Sequence, residues 1–509
     1  MMSTRQTNIG RSRLLFLFLI AGVIISCSST NTNAEVSIKV VLGSNVAKEP
    51  ANGRIYVLMN NDTIQFPIYG PNSSDPQPFF SKDVSNWQPG DTITLDSTWN
   101  SWQDDLDGLS GDYAINAVLD RDSTSWNFIN AENYMSVKKV IHVDQSDCID
   151  IYLELEAAMV DYPFTETDLL KELVVPSPML TEWYGRPIET TAGVLLPPTY
   201  HDSTSKKYPV VYVFPGWGGS RYHLSLGTFQ QERYAMTDQL GCEKIFVFMD
   251  QQCPLGYHVF ANSDNNGPRA DAFVQEFIPA FENGFRAVPH PKARFLLGQS
   301  SGGWAALYLQ ITFPEYFAGA WAGSPDPVDF RYFQCSGSIY ERNGNFLYNS
   351  DGSKKAHSRK NGSINVYSKT YCDMEQVLGI GGQLGSYESV FSRRGSDGKP
   401  EKLFDRVTGK IDSTVAEYWK KYDLNLIIKN HSETHRSHYS GKLHIFVSKA
   451  DDYYLDLAVS SLKKSLEPLE FDADITILNS GGHSVWNDEI RATIYSEIDD
   501  IISDCSNCQ

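Results

Sequence analysis

The chain has 509 residues, more than one compact domain usually holds, which points to two or three domains. Its 41% hydrophobic and 12% aromatic content can build a sizeable core and excludes a largely disordered chain. With 43 basic against 62 acidic residues the net charge is −19, which argues against nucleic acid as a partner and against docking on anionic lipid through protein charge.

The N-terminal stretch reads as an export signal. Arg5, Arg11 and Arg13 precede an apolar run over residues 14–25, of signal-peptide length and too short for a comfortable membrane span. The run stops at Ile24-Ile25-Ser26-Cys27, which resembles a bacterial lipobox. The expectation is a signal peptide over 1–26, a lipidated Cys27 with a polar tether over 27–34, and an exported protein anchored in a membrane, with the outer membrane favoured. A plain signal peptide or a short anchor is the alternative. Seven further cysteines follow Cys27. The C-terminal pair Cys505 and Cys508 suits a local disulfide better than a zinc or redox site, since no second ligand pair accompanies it.

Residues 35–157 read as strand and turn. The segment 36–40 alternates apolar and polar, and 54–59, 92–95, 113–119 and 149–155 resemble it, with Pro, Gly, Asn and Asp clusters between them. Several short strands at this spacing predict a β-sandwich. From residue 173 the pattern changes. Apolar strands at 209–214, 244–249, 293–297, 443–447 and 475–478 alternate with helical stretches such as 270–284 and 304–312, which predicts a largely parallel sheet. A polar insertion over 335–438 is expected to cover the site as a lid or loop layer.

The chemistry sits at strand ends. Gly298-Gln299-Ser300-Ser301-Gly302 lies between the strand 293–297 and the helix from Trp304, which is the setting of a G-x-S-x-G nucleophile elbow. A serine hydroxyl needs an imidazole to take its proton, and His483 follows a late strand on the loop Asn479-Ser480-Gly481-Gly482. The imidazole needs a carboxylate, and the strand 443–447 runs into Asp451 and Asp452. Asp451 is the better candidate, with Asp452 as the alternative and a helix cap as its structural role. Two N–H donors for the oxyanion are expected from Ser301 and from Trp217 in the loop Gly216-Trp217-Gly218-Gly219. Trp304 and Trp486 flank these residues and are candidate substrate contacts, with core packing an equal alternative. His431, His435 and His438 form an incomplete ligand set in a polar segment, so neither a metal nor an organic cofactor is expected.

These segments, with Phe214-Pro215-Gly216-Trp217-Gly218-Gly219, Ala450-Asp451-Asp452-Tyr453-Tyr454 and Gly481-Gly482-His483-Ser484-Val485-Trp486, resemble the esterase family of α/β-hydrolases related to enterochelin esterases, feruloyl esterases and esterase D. The resemblance implies an α/β-hydrolase domain over 173–509 with Ser300, Asp451 and His483 as catalytic residues. The resulting expectation is a serine carboxyl-ester hydrolase working through an acyl-enzyme; the substrate does not follow from the resemblance, and feruloyl- or acetyl-type plant polysaccharide esters or siderophore-type esters are the classes expected. An acyltransferase of the same fold and an inactive glycan-binding surface protein are the rival readings. Gln299 stands where the family commonly has His, and Phe214-Pro215-Gly216 where it commonly has His-Gly.

Overall fold

A computed structural model describes residues 36–103, 106–122, 124–144, 149–160, 163–202, 204–222 and 242–505. The proposed signal peptide, Cys27 and the tether lie outside them. Among the described residues no helix is long and apolar enough to cross a membrane.

The N-terminal part is a nine-stranded sheet. Eight of its strands join in one hydrogen-bonded path, with Val36–Leu42 paired to both Thr92–Thr94 and Ile149–Ala158, and Lys139–Val143 branches off it on Gly111–Asp120. Side chains alternate faces along each strand. In Ala51–Asn60, Ile55, Val57 and Met59 enter a core shared with Ile38, Val40 and Leu153. Tyr56 and Leu58 point the other way, into the core of the C-terminal part. The expected sandwich is therefore a single sheet that folds over its own core and buries part of its second face against the rest of the chain.

The C-terminal part is built on an eight-stranded sheet: β1 (Leu170–Pro176), β2 (Glu189–Leu195), β3 (Val210–Phe214), β4 (Ile245–Met249), β5 (Arg294–Gln299), β6 (Gly319–Gly323), β7 (Leu443–Ser448) and β8 (Asp474–Leu478). Its order is β1-β2-β4-β3-β5-β6-β7-β8. β2 runs antiparallel to β1 and β4, and the other neighbours are parallel. Both faces of this sheet are covered, which is why β3 is a run of apolar residues rather than an alternation. Helix α1 (Ser301–Thr312), buried from Ser301 to Ile311, packs on one face. The C-terminal helix α5 (Asp488–Ser503) packs Ile490, Ile494 and Ile498 on the other. This is the α/β-hydrolase fold.

The polar insertion holds more regular structure than a loop layer. It carries a hairpin (Ala356–Lys360 with Ser363–Tyr367) and the helices α2 (Ser368–Leu378) and α3 (Gln383–Phe391). Apolar residues spaced along these helices, among them Tyr371, Met374, Leu378, Tyr387 and Phe391, join the main core. Helix α2 ends against the N-terminal sheet. The Tyr56 hydroxyl donates to the Leu378 carbonyl at 2.7 Å and the Ser81 hydroxyl to the Val377 carbonyl at 2.6 Å. These are last-turn carbonyls that have no partner within their own helix. Trp102 adds an indole N–H to the Thr370 carbonyl at 3.1 Å. Cys242, Cys253, Cys335 and Cys372 are free thiols, while Cys505 is in a disulfide.

Candidate active site

Parallel pairing brings the C-terminal ends of β3, β5, β6, β7 and β8 to one edge, and the candidate residues follow those ends. Ser300 sits between β5 and α1 at φ 56° and ψ −123°, a conformation that non-glycine residues rarely adopt. Its N–H donates to the Gly323 carbonyl at 2.9 Å, and its own carbonyl accepts from Trp304 N at 3.1 Å. The flanking glycines are required by contact. A Cβ on Gly298 would collide with the Gly302 carbonyl, and one on Gly302 with the carbonyls of Phe214 and Pro215. The turn is thus wedged beneath β3, and its serine is lifted to the sheet edge.

His483 and Asp451 are brought together. The imidazole Nδ1 lies 2.9 Å from Asp451 Oδ2, with the histidine side chain 19% exposed and the carboxylate fully buried. The other oxygen of Asp451 accepts from the backbone N–H groups of Tyr453 at 2.9 Å and Leu455 at 3.2 Å. Burial pushes this carboxyl up, yet the hydrogen bonds and charge of His483 and the two backbone donors outweigh it and hold the group below the usual carboxylate range. Tyr453 stands edge-on to the imidazole, ring centroids 4.8 Å apart.

Asp452 takes a different part from the helix cap expected of it. Helix α4 (Leu455–Leu466) has no side-chain cap at Tyr454, and Asp451 itself meets the first N–H of the helix. Asp452 accepts instead from the backbone N–H of His483 at 3.2 Å. The two adjacent acids therefore grip the histidine at ring and at backbone. Gln299 adds a third hold, its amide donating to the His483 carbonyl at 2.9 Å. That contact gives a local purpose to a residue that departs from the family pattern.

The loop after β3 crosses directly over the serine. A Cβ on Gly216 would lie 3.2 Å from Ser300 Cβ, so this glycine lets the backbone approach the nucleophile closely. Gln251 anchors the loop by an amide bond to the Pro215 carbonyl. Trp217 is held in a ring cluster, 5.8 Å from Trp126 of the N-terminal part and 6.1 Å from Tyr257. Ser301 is buried at the start of α1, following Ser300 directly. Trp304 is 1% exposed and stacks on Tyr308 at 5.0 Å, so it is a core residue and not the substrate contact considered from sequence. Trp486 packs beneath Gly323 and against Phe446, on the far face of the sheet from α1. A cavity of 510 Å³ opens on that face beside Trp486, Gly218 and Tyr495, but neither Ser300 nor His483 lines it.

Three residues of the site were given no role by the sequence. Asp326, after β6, is 3% exposed and contacts both elbow hydroxyls: Ser300 Oγ at 3.3 Å and Ser301 Oγ at 2.5 Å. Ser300 is hydrogen-bonded there rather than to His483. Burial pushes the Asp326 carboxyl up, against donors from Ser301, Tyr387 and Ser300 and the charge of His483. Tyr387 reaches Asp326 from α3, and Gln383 donates to the Tyr387 hydroxyl at 3.0 Å. Arg359, on the insertion hairpin, clamps the acid loop: its guanidinium donates to the carbonyls of Asp451 at 2.8 Å and Lys449 at 3.0 Å and pairs with Asp456 at 2.9 Å. Outside the site, the His431 ring meets the Tyr439 hydroxyl at 2.9 Å and His438 meets Glu315 at 3.1 Å, so two of the three histidines of that segment have ordinary protein partners.

An elbow serine, a carboxylate-held imidazole and a glycine loop over the nucleophile, all at one edge of this sheet, define the serine hydrolase class of the α/β-hydrolase fold. Residues 187–388 match the model of the family described as "Putative esterase". The match lies within the C-terminal part, which is that of a carboxylic ester hydrolase. Among solved structures, a ferulic acid esterase is similar at 13% identity and TM-score 0.40, over 65% of this chain and 97% of that one. An S-formylglutathione hydrolase from Agrobacterium tumefaciens is similar at 14% identity and TM-score 0.36, over 66% and 95%. A ferulic acid esterase from Anaeromyces mucronatus is similar at 15% and 0.32, over 66% and 93%. No curated protein matches the chain.

Proposed function

We propose that Ser300, His483 and Asp451 are the catalytic triad of an acyl-enzyme esterase whose substrate carries an aromatic acyl group, either a feruloyl ester of plant polysaccharide or an aryl ester of the siderophore type. The observation that carries the reading is the 2.9 Å contact of His483 with a fully buried Asp451 beside the strained elbow. Asp451 fixes the proton on Nδ1, which leaves Nε2 free as a base. Ser300 leaves Asp326, gives its proton to Nε2 and attacks the ester carbonyl. The Trp217 and Ser301 N–H groups receive the oxyanion. The imidazolium then protonates the departing alcohol, and water, deprotonated by His483, releases the acid and restores the serine. The three rings of Trp126, Trp217 and Tyr257 beside the oxyanion loop support an aryl acyl group, since offset or edge contacts with such rings favour aromatic partners.

The reading extends to location: an exported esterase held in a membrane by a lipid on Cys27. The apolar run that stops at Ser26-Cys27 supports it. The test of function is hydrolysis of methyl ferulate, a catechoyl serine ester, p-nitrophenyl acetate and acetylated xylan by the purified protein. A higher kcat/KM for the aryl acyl esters than for both acetyl substrates is expected. A preference for acetyl esters would overturn the substrate assignment, and no turnover of any ester with wild-type protein would overturn the mechanism.

A further inference from the structure

We propose that Asp326 is a positioning residue that acts through the elbow, holding Ser300 and Ser301 in place. The proposal rests on the triad reading above. Asp326 grips the elbow at three points. Its N–H donates to the Ser300 carbonyl at 3.1 Å, Oδ1 accepts from Ser300 Oγ at 3.3 Å, and Oδ2 from Ser301 Oγ at 2.5 Å. Those contacts hold a residue whose φ is +56°, and they hold the Ser301 N–H that would face the oxyanion. The register of β5 with β6, Gln299 opposite Gly323, puts the two strand ends side by side and makes the grip possible.

A carboxyl with 3% exposure is costly to keep in a fold whose Ser301 could be satisfied by a neutral partner. Its surroundings give it a reason. Helix α3 of the insertion supplies the Tyr387 hydroxyl as a donor, and Gln383 orients that hydroxyl. The charged and titratable groups around the imidazole are Asp451, Asp452 and Tyr453 from the acid loop and Asp326 from the β6 loop. Those around Asp326 are His483, Tyr387 and, further off, Tyr371 and Tyr453. The 3.3 Å contact also parks the nucleophile: Ser300 must give up Asp326 before it can bond His483.

The experiment is Asp326→Asn, which keeps the shape and an acceptor oxygen and removes the charge. Wild type, labelled on Ser300 by a fluorophosphonate and turning over an aryl ester, first establishes the triad reading. The variant is expected to lose about tenfold or more in kcat with KM nearly unchanged, because Asp326 touches the elbow and not substrate. The rate at which a fluorophosphonate labels Ser300 is expected to fall by a similar factor, because the elbow is no longer held in place. A folded variant with wild-type kcat and labelling rate overturns the proposal. If Asp326→Asn does not fold, Tyr387→Phe removes one donor to the carboxylate from the insertion side. A smaller loss of kcat and of labelling rate is expected of it, and wild-type kinetics overturn the proposal.

Discussion

Asp451→Asn is the most demanding test of the proposed triad. In the structure the carboxylate is saturated: Oδ2 faces His483 Nδ1, and Oδ1 faces the N–H groups of Tyr453 and Leu455. An asparagine has one acceptor oxygen. The two backbone donors claim it, because the amide nitrogen cannot accept from them. The amide N–H₂ is left against Nδ1, which must then accept, so the ring proton moves to Nε2. That tautomer cannot take the proton of Ser300. The same swap in a serine protease costs about 10⁴ in turnover, or about 5 kcal/mol of barrier. The backbone contacts survive, so the variant should stay folded at neutral pH, with a melting temperature lowered only by the loss of the carboxylate's contact with His483. The assay is steady-state hydrolysis of an aryl ester with the melting curve measured alongside. Because the Asp451 carboxyl is held below its usual range, it contributes stability above the unfolded value near 4, and this is lost as pH falls through the folded value. The wild-type advantage in melting temperature over the variant should therefore shrink below about pH 4. A folded variant retaining more than about a tenth of wild-type kcat would refute the tautomer argument.

Ser300→Ala should abolish both fluorophosphonate labelling and ester turnover; labelling that persists on Ser301 would show that the elbow presents the wrong hydroxyl. Arg359→Ala removes a guanidinium bonded to the carbonyls of Asp451 and Lys449 and to Asp456. It should cost about 2–4 kcal/mol of stability and about tenfold in kcat, and unchanged kinetics would show that the acid loop holds itself. Cys27→Ala should release the protein from the membrane fraction or block its processing, and normal cleavage with continued membrane association would assign the anchor elsewhere.

The elbow and the histidine loop were legible because their signals are local. Gly298 and Gly302 are fixed by contacts within the turn and with β3, and Gly481 and Gly482 mark a loop past a late strand. The choice of Asp451 over Asp452 followed from chain order and family pattern. The structure adds why adjacent acids differ, one meeting the ring of His483 and the other its backbone N–H. Asp326 lies in a stretch, Ser324-Pro325-Asp326-Pro327, that itself resembles the family, but its place could not be read there, because only the pairing of β5 with β6 carries it to the serine. Arg359 and Tyr387 come from an insertion whose polar composition suggested a loop. Its helices exist because scattered apolar residues find a core made by distant segments, a tertiary effect that local propensity does not contain. For Trp304 the sequence left substrate contact and core packing equally open, and a helix buried on every side decides for the core.

The end of α2 has a consequence for how this protein can be taken apart. The last-turn carbonyls of Val377 and Leu378 have their donors on the N-terminal sheet, and Trp126 of that part stands against Trp217 of the oxyanion loop. Cutting between the strands Ile149–Ala158 and Leu170–Pro176 leaves α2 with bare carbonyls and the oxyanion loop without its backing ring. Water can then take the place of the lost donors, but nothing takes the place of the ring, so the cut bears on the loop beside Ser300 more than on the helix.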